Sequence, residues 1–90
     1  MELVFSAHAL KRMFQRGISA QAVRAVLDNP QLVADYADDK PYPSQVVFAM
    51  VDQQALHVLV ATADTGVKVI VTVYRPDPYL WAPDFLRKRP

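Results

Sequence analysis

The dipeptide Asn29-Pro30 divides the chain into two halves that cannot share a secondary structure. Before it, apolar residues recur at the three-to-four spacing of amphipathic helices; after it they alternate or run on in segments rich in β-branched and aromatic side chains. In the first half Ser6 is a good N-cap, and Ala7 to Arg16 carry Leu10, Met13 and Phe14 as an apolar stripe before Gly17 supplies a left-handed stop. Ser19 caps a second helix through Leu27, with Val23, Val26 and Leu27 on its apolar side, and Pro30 forbids its continuation.

The second half predicts four strands, Leu32 to Tyr36, Gln45 to Val51, Ala55 to Ala63 and Val67 to Arg75. Asp64-Thr65-Gly66 suits a three-residue hairpin with Gly66 in the left-handed position, Asp52 to Gln54 is a polar turn, and the loop holding Pro41 and Pro43 is expected to be irregular. Glu2 to Phe5 suits a short extra strand. The tail from Pro76 to Pro90 has four prolines, which end the sheet and leave room for at most one short helix near Asp84 to Lys88. The expected class is α+β: a short first strand, a helical hairpin on one sheet face, then an antiparallel four-strand meander and a proline-rich C-terminal tail.

Ninety residues suit a single domain spanning 1–90, and with 52% hydrophobic and 21% charged residues the chain can build one core, unlike a disordered polymer. It is expected to fold alone or as a homodimer. The absence of cysteine excludes a disulfide scaffold and fits a reducing compartment. The N-terminal residues lack the apolar run of a signal peptide, and no stretch reaches membrane-spanning length, so a cytoplasmic location without membrane contact is expected.

The net charge of +1 hides a segregation. Residues 1–27 carry Lys11, Arg12, Arg16 and Arg24 against Glu2; residues 28–66 carry six aspartates against Lys40; residues 67–90 carry Lys68, Arg75, Arg87, Lys88 and Arg89 against Asp77 and Asp84. The basic segments at both ends can form a phosphate-attracting face if the fold brings them together, or a solvated surface of alternating sign if it does not.

Two stretches, Phe5-Ser6-Ala7-His8-Ala9-Leu10-Lys11-Arg12-Met13-Phe14-Gln15-Arg16-Gly17-Ile18-Ser19 and Ile70-Val71-Thr72-Val73-Tyr74-Arg75-Pro76-Asp77-Pro78 with Trp81 following, resemble the bacterial domain of unknown function 4258, as does the helix ending Val26-Leu27-Asp28-Asn29-Pro30. That family is distantly similar to RelE- and BrnT-type toxins, small ribonucleases paired with antitoxins. The resemblance implies a RelE-like βααβββ order, an RNA or ribosome target and an antitoxin partner.

On a helical wheel His8, Arg12 and Gln15 cluster opposite Leu10, Met13 and Phe14. His8, two residues past the cap, lies where the helix dipole favours a neutral ring, while Arg12 and Arg16 could hold phosphate. Such a set suits metal-independent RNA cleavage through a 2′-hydroxyl; the bland alternative is a solvated helix face. Strict alternation in the last strand puts Val69, Val71 and Val73 towards the helices and Lys68, Ile70, Thr72 and Tyr74 on the other face, where Lys68 and Tyr74 suit a phosphodiester or simply line a wet surface.

The position of His57 depends on hairpin register. A three-residue loop at Asp64 to Gly66 pairs Ala63 with Val67 and sets His57 opposite Val73; a two-residue loop sets it opposite Tyr74. Gly66 favours the former, which makes His57 a structural histidine with a secondary place in substrate binding. Trp81 in the tail suits either stacking on a base or a lid on the sheet.

Two histidines far apart and no cysteine lack zinc-ligand spacing, and the aspartates at 35, 38 and 39 read as turn formers, so no metal is expected. Two glycines leave no phosphate loop, and no cofactor is expected. Two functions compete. The first is a toxin-type, cofactor-free ribonuclease with His8, Arg12, Lys68 and Tyr74 as the catalytic set and Arg16, Thr72, Trp81 and His57 contacting substrate. The second is a non-catalytic module binding a protein or nucleic acid through the open sheet face or edge. They differ in geometry, since the first needs His8, Arg12 and Tyr74 to converge on one phosphate.

Overall fold

A computed structural model describes residues 2–90. Seven elements follow in the order β1 (Leu3–Phe5), α1 (Ala7–Arg16), α2 (Ala20–Asp28), β2 (Gln31–Tyr36), β3 (Ser44–Val51), β4 (Gln54–Thr62) and β5 (Lys68–Tyr74). The helices form where their caps dictate. Ser6 Oγ accepts from the Ala9 amide and Ser19 Oγ from the Ala22 amide, both at 3.0 Å. Gly17 closes α1 in the left-handed conformation at φ 64°.

Strands β2 to β5 form the expected antiparallel meander, but β1 joins it as a fifth strand, parallel to β5, giving the order β1-β5-β4-β3-β2. The sheet is therefore mixed. β1 pairs Leu3 with Lys68 and Phe5 with Ile70, and the ladder runs on into the helix cap through Ser6 N to Ile70 O at 3.0 Å. A strand of three residues is too short to announce its partner through alternation, which is why its parallel pairing is not visible in the sequence.

Both helices cover one sheet face, α1 over β5 and α2 over β3 and β4. Between them Ala9, Met13, Ile18, Val23, Val26, Val47, Leu56, Val58, Val60, Ile70 and Val73 make one apolar cluster. The stripe expected on α1 is displaced. Ala9 and Met13 are buried, while Leu10 is 53% and Phe14 89% exposed. The alanine lets the helix lie close on β5, and the wheel turns so that Arg16 reaches the sheet instead, its Nη1 donating to the Val73 carbonyl at 2.7 Å.

Two details of the hairpins set the faces of the sheet. The β3–β4 turn is a two-residue loop in which Asp52 and Gln53 both have positive φ, 50° and 66°, and Val51 pairs with Gln54. The β4–β5 loop has the three residues expected, with Ala63 N bonded to Val67 O at 2.9 Å and Gly66 at φ 88°. The register then changes: Val60 pairs with Ile70, but Leu59 pairs with Thr72, so Val71 is an extra residue. This bulge reverses alternation beyond it. Ile70 and Val73 both enter the helix-side core, correcting the expectation that Val69, Val71 and Val73 share that face.

No short helix forms at Asp84 to Lys88; residues 77–90 fold into turns closed by a bridge between Trp81 and Lys88, and this strap crosses the sheet face that the helices leave open. No helix is long and apolar enough to cross a membrane among the described residues.

Candidate functional site

Because the bulge at Val71 shifts the register, His57 lies opposite Tyr74, not Val73. Both are on the far face, away from the helices, where Phe48 on β3 pairs with His57. His57 is fully buried. Its Nε2 lies 2.7 Å from the carbonyl oxygen of Phe85 and its Nδ1 3.1 Å from the Tyr74 hydroxyl. A carbonyl only accepts, so Nε2 carries the proton; in the neutral ring Nδ1 is then the acceptor and Tyr74 O–H the donor. Burial holds the His57 pKa below its ordinary 6.5, which keeps this neutral form, although the bond to the Phe85 carbonyl pulls the other way.

The strap supplies the roof. Trp81 stands edge-on to His57 with ring centroids 4.5 Å apart, and Phe85 lies 5.9 Å from Phe48. Beside this cluster the strap leaves a cleft of about 300 Å³ lined by Val33, Ala34, Tyr36, Val46, Tyr74, Leu80, Trp81 and Lys88. Val33 reaches it because β2 also bulges, between Leu32 and Ala34. Tyr74 comes from β5 and Tyr36 from β2, three strands away, yet both line the same space. Burial, and secondarily the neighbouring Tyr36 phenol, push the Tyr74 pKa up, so its hydroxyl stays protonated near neutral pH. Lys88 Nζ sits 5.9 Å from the Trp81 ring centroid, the one lysine on the cleft wall.

The sequence-derived set is thus divided. Tyr74, His57, Trp81 and Thr72 share the far face, the first three in direct contact and Thr72 two residues along β5. His8, Arg12 and Arg16 belong to α1 on the other side of the sheet. His8 is exposed, Arg12 Nη1 donates to Gln15 Oε1 at 3.2 Å, and Arg16 is engaged with the backbone of β5. Lys68 points to the helix side, its Nζ donating to Thr62 Oγ1 at 2.8 Å. It also begins the strand that Tyr74 ends, about 20 Å away at 3.3 Å per residue. A single site of His8, Arg12, Lys68 and Tyr74 is therefore excluded: α1 holds His8 and Arg12 on the helix side of the sheet, and the bulge at Val71 leaves Lys68 on that side while Tyr74 faces the other.

Tyr36 is not singled out by sequence, and Lys88 is named there only as part of the basic C-terminal segment. Tyr36 ends a strand whose alternation is broken by its own bulge, and Lys88 is brought in by the bridge to Trp81, neither of which has a local signal in the sequence. Among the described residues no group of three or more His, Cys, Asp or Glu side chains is placed to hold a metal ion.

A small α+β domain whose open sheet face is roofed by its own C-terminal strap over a Tyr–His pair is the class that fold and site define. Residues 5–75 match the family model for the domain of unknown function DUF4258, and the chain belongs to that family. No curated protein and no solved structure matches the chain. The family match ends at Arg75, so the strap lies wholly outside it.

Proposed function

We propose that the protein binds single-stranded RNA, with one nucleotide seated in the far-face cleft. The observation that carries this reading is the convergence of Tyr36, Tyr74 and Trp81 with Lys88 around one space of about 300 Å³. Aromatic rings accept an unpaired base by stacking, and an ammonium at the rim accepts its phosphate. Binding of uridine monophosphate and of a short fluorescein-labelled oligouridine, followed by anisotropy, tests it. Lys88→Ala and Tyr36→Ala should each weaken binding severalfold and reduce its salt dependence only in the lysine variant. Equal binding by wild type and both variants sinks the proposal.

A second reading is favoured by the hydrogen bond from Tyr74 to His57. In a toxin-type ribonuclease of the RelE and BrnT kind, Tyr74 takes the proton of a 2′-hydroxyl while passing its own to His57 Nδ1. The 2′-oxygen bonds to phosphorus, the 5′-oxygen leaves and takes a proton from water, and a 2′,3′-cyclic phosphate remains. His8, Arg12 and Lys68 have no part in this scheme. An antitoxin would silence the protein by covering the cleft. Induction in bacteria should arrest growth, and Tyr74→Phe should relieve the arrest while leaving RNA bound; no arrest and no cyclic phosphate product would remove the catalytic reading and leave the binding one.

A further inference from the structure

The strap and the sheet meet through side chains, with little backbone joining them. Its own hydrogen bonds are internal: Trp81 N to Asp77 O, Ala82 N to Arg87 O, Phe85 N to Ala82 O and Arg89 N to Leu80 O, each 2.8 to 2.9 Å, with Arg89 Nε on Pro78 O. Among the described residues, the bond from His57 Nε2 to Phe85 O is the one hydrogen bond that ties residues 77–90 to the sheet. At that point Phe85 is held at φ 58°, a left-handed conformation that costs a non-glycine residue free energy. Aromatic contacts add to it, Trp81 on His57 and Phe85 on Phe48.

A self-contained unit, strained at its single latch and set on two sheet aromatics, is built to leave as one piece. What it would uncover is continuous with the cleft, since Tyr74 borders both the cleft and His57. The cleft has room for about one nucleotide, whereas a strand presents successive bases. We propose that the sheet face under the strap, formed by Phe48 and His57, is the continuation of the RNA site and takes the next bases of the strand, and that Trp81 and Phe85 occupy it in their place until the strap is displaced.

This inference rests on the RNA reading above, and the test separates the two. Phe85→Gly removes the aromatic contact on Phe48, a loss larger than the left-handed strain it relieves, while leaving every sheet residue intact. The chain has one tryptophan and two histidines, so Trp81 emission reports strap release, and the rate of carbethoxylation of His57 relative to exposed His8 reports its uncovering. In Phe85→Gly the emission should shift red, the His57 to His8 labelling ratio should rise severalfold, oligouridine should bind about tenfold tighter across Tyr36, Tyr74, His57 and Phe48, and uridine monophosphate should bind severalfold more weakly, because Trp81 and Lys88 leave its cleft with the strap. Saturating oligouridine on the wild type should likewise shift Trp81 to the red while protecting His57. If Phe85→Gly does not fold, Phe85→Asn gives the same measurements, because asparagine tolerates this backbone. Wild-type binding with no selective gain for the oligomer in the opened variant, or a labelling ratio that does not move, overturns the inference alone. No binding of either ligand by any form overturns the RNA reading and this extension of it together.

Discussion

Ser6 Oγ donates to the carbonyl of Val71 at 3.1 Å while accepting from the Ala9 amide. The residue that starts α1 thus also satisfies the bulged residue of β5, 65 positions away in the chain. The bulge decides that Tyr74 faces His57. Ser6 is in effect the part of the helical layer that fixes the opposite face of the sheet.

Replacing Ser6 by Ala removes a cap and leaves a half-buried carbonyl without its partner, so it should cost about 2 kcal/mol in urea denaturation. Ser19→Ala removes an exposed cap only and should cost about 1 kcal/mol or less. Equal losses would show that the Val71 bond contributes nothing to stability.

The buried neutral His57 predicts a pH dependence whose sign follows from linkage. The folded pKa is lowered from 6.5, so the unfolded chain binds more protons below that value, and stability should fall as pH drops through 6.5 towards the folded pKa. Tyr74, raised above its ordinary 10.0, stays neutral throughout this window, and Lys88 lies beyond the Trp81 ring. Urea midpoints between pH 5 and pH 7.5 in wild type and His57→Phe check this: the slope should be shallower in the variant.

Gln53 holds a positive φ of 66° in a two-residue hairpin, a position that glycine fills without strain. Gln53→Gly creates an Asp-Gly turn and should raise stability by about 0.5 to 1 kcal/mol, read as a higher denaturation midpoint. A lower midpoint would mean that the Gln53 side chain stabilises the fold more than its backbone strains it.

Phe14 is almost wholly exposed, so Phe14→Ser should change stability by no more than about 0.5 kcal/mol. Met13→Ala, one residue earlier but buried, should cost about 2 to 4 kcal/mol. The contrast checks which side of α1 meets the sheet.

Local signals in the sequence carried the elements well. Ser6, Gly17, Ser19 and Pro30 delimit both helices because caps and stops act within a turn of chain, and Gly66 identifies the three-residue loop. The site was legible only in its members. Tyr74, His57 and Trp81 were all candidates, yet their meeting depends on Val71 being skipped in the ladder, and a single unpaired valine in Ile70-Val71-Thr72-Val73 has no mark in a run of β-branched residues. The α1 stripe misled for a related reason. Leu10 and Phe14 outweigh Ala9 on any hydrophobic wheel, but a close helix-to-sheet approach selects the small side chain.

The pairing of β1 with β5 makes the edge of the sheet its least local part. Leu3 meets Lys68 across most of the domain, whereas β3 with β4 and β4 with β5 are joined by short turns, so the hairpins form ahead of this ladder and β1 is the last strand to be added. Because the same ladder runs on into the cap of α1 through Ser6, fraying of this edge would loosen the first helix before it disturbed the centre of the sheet.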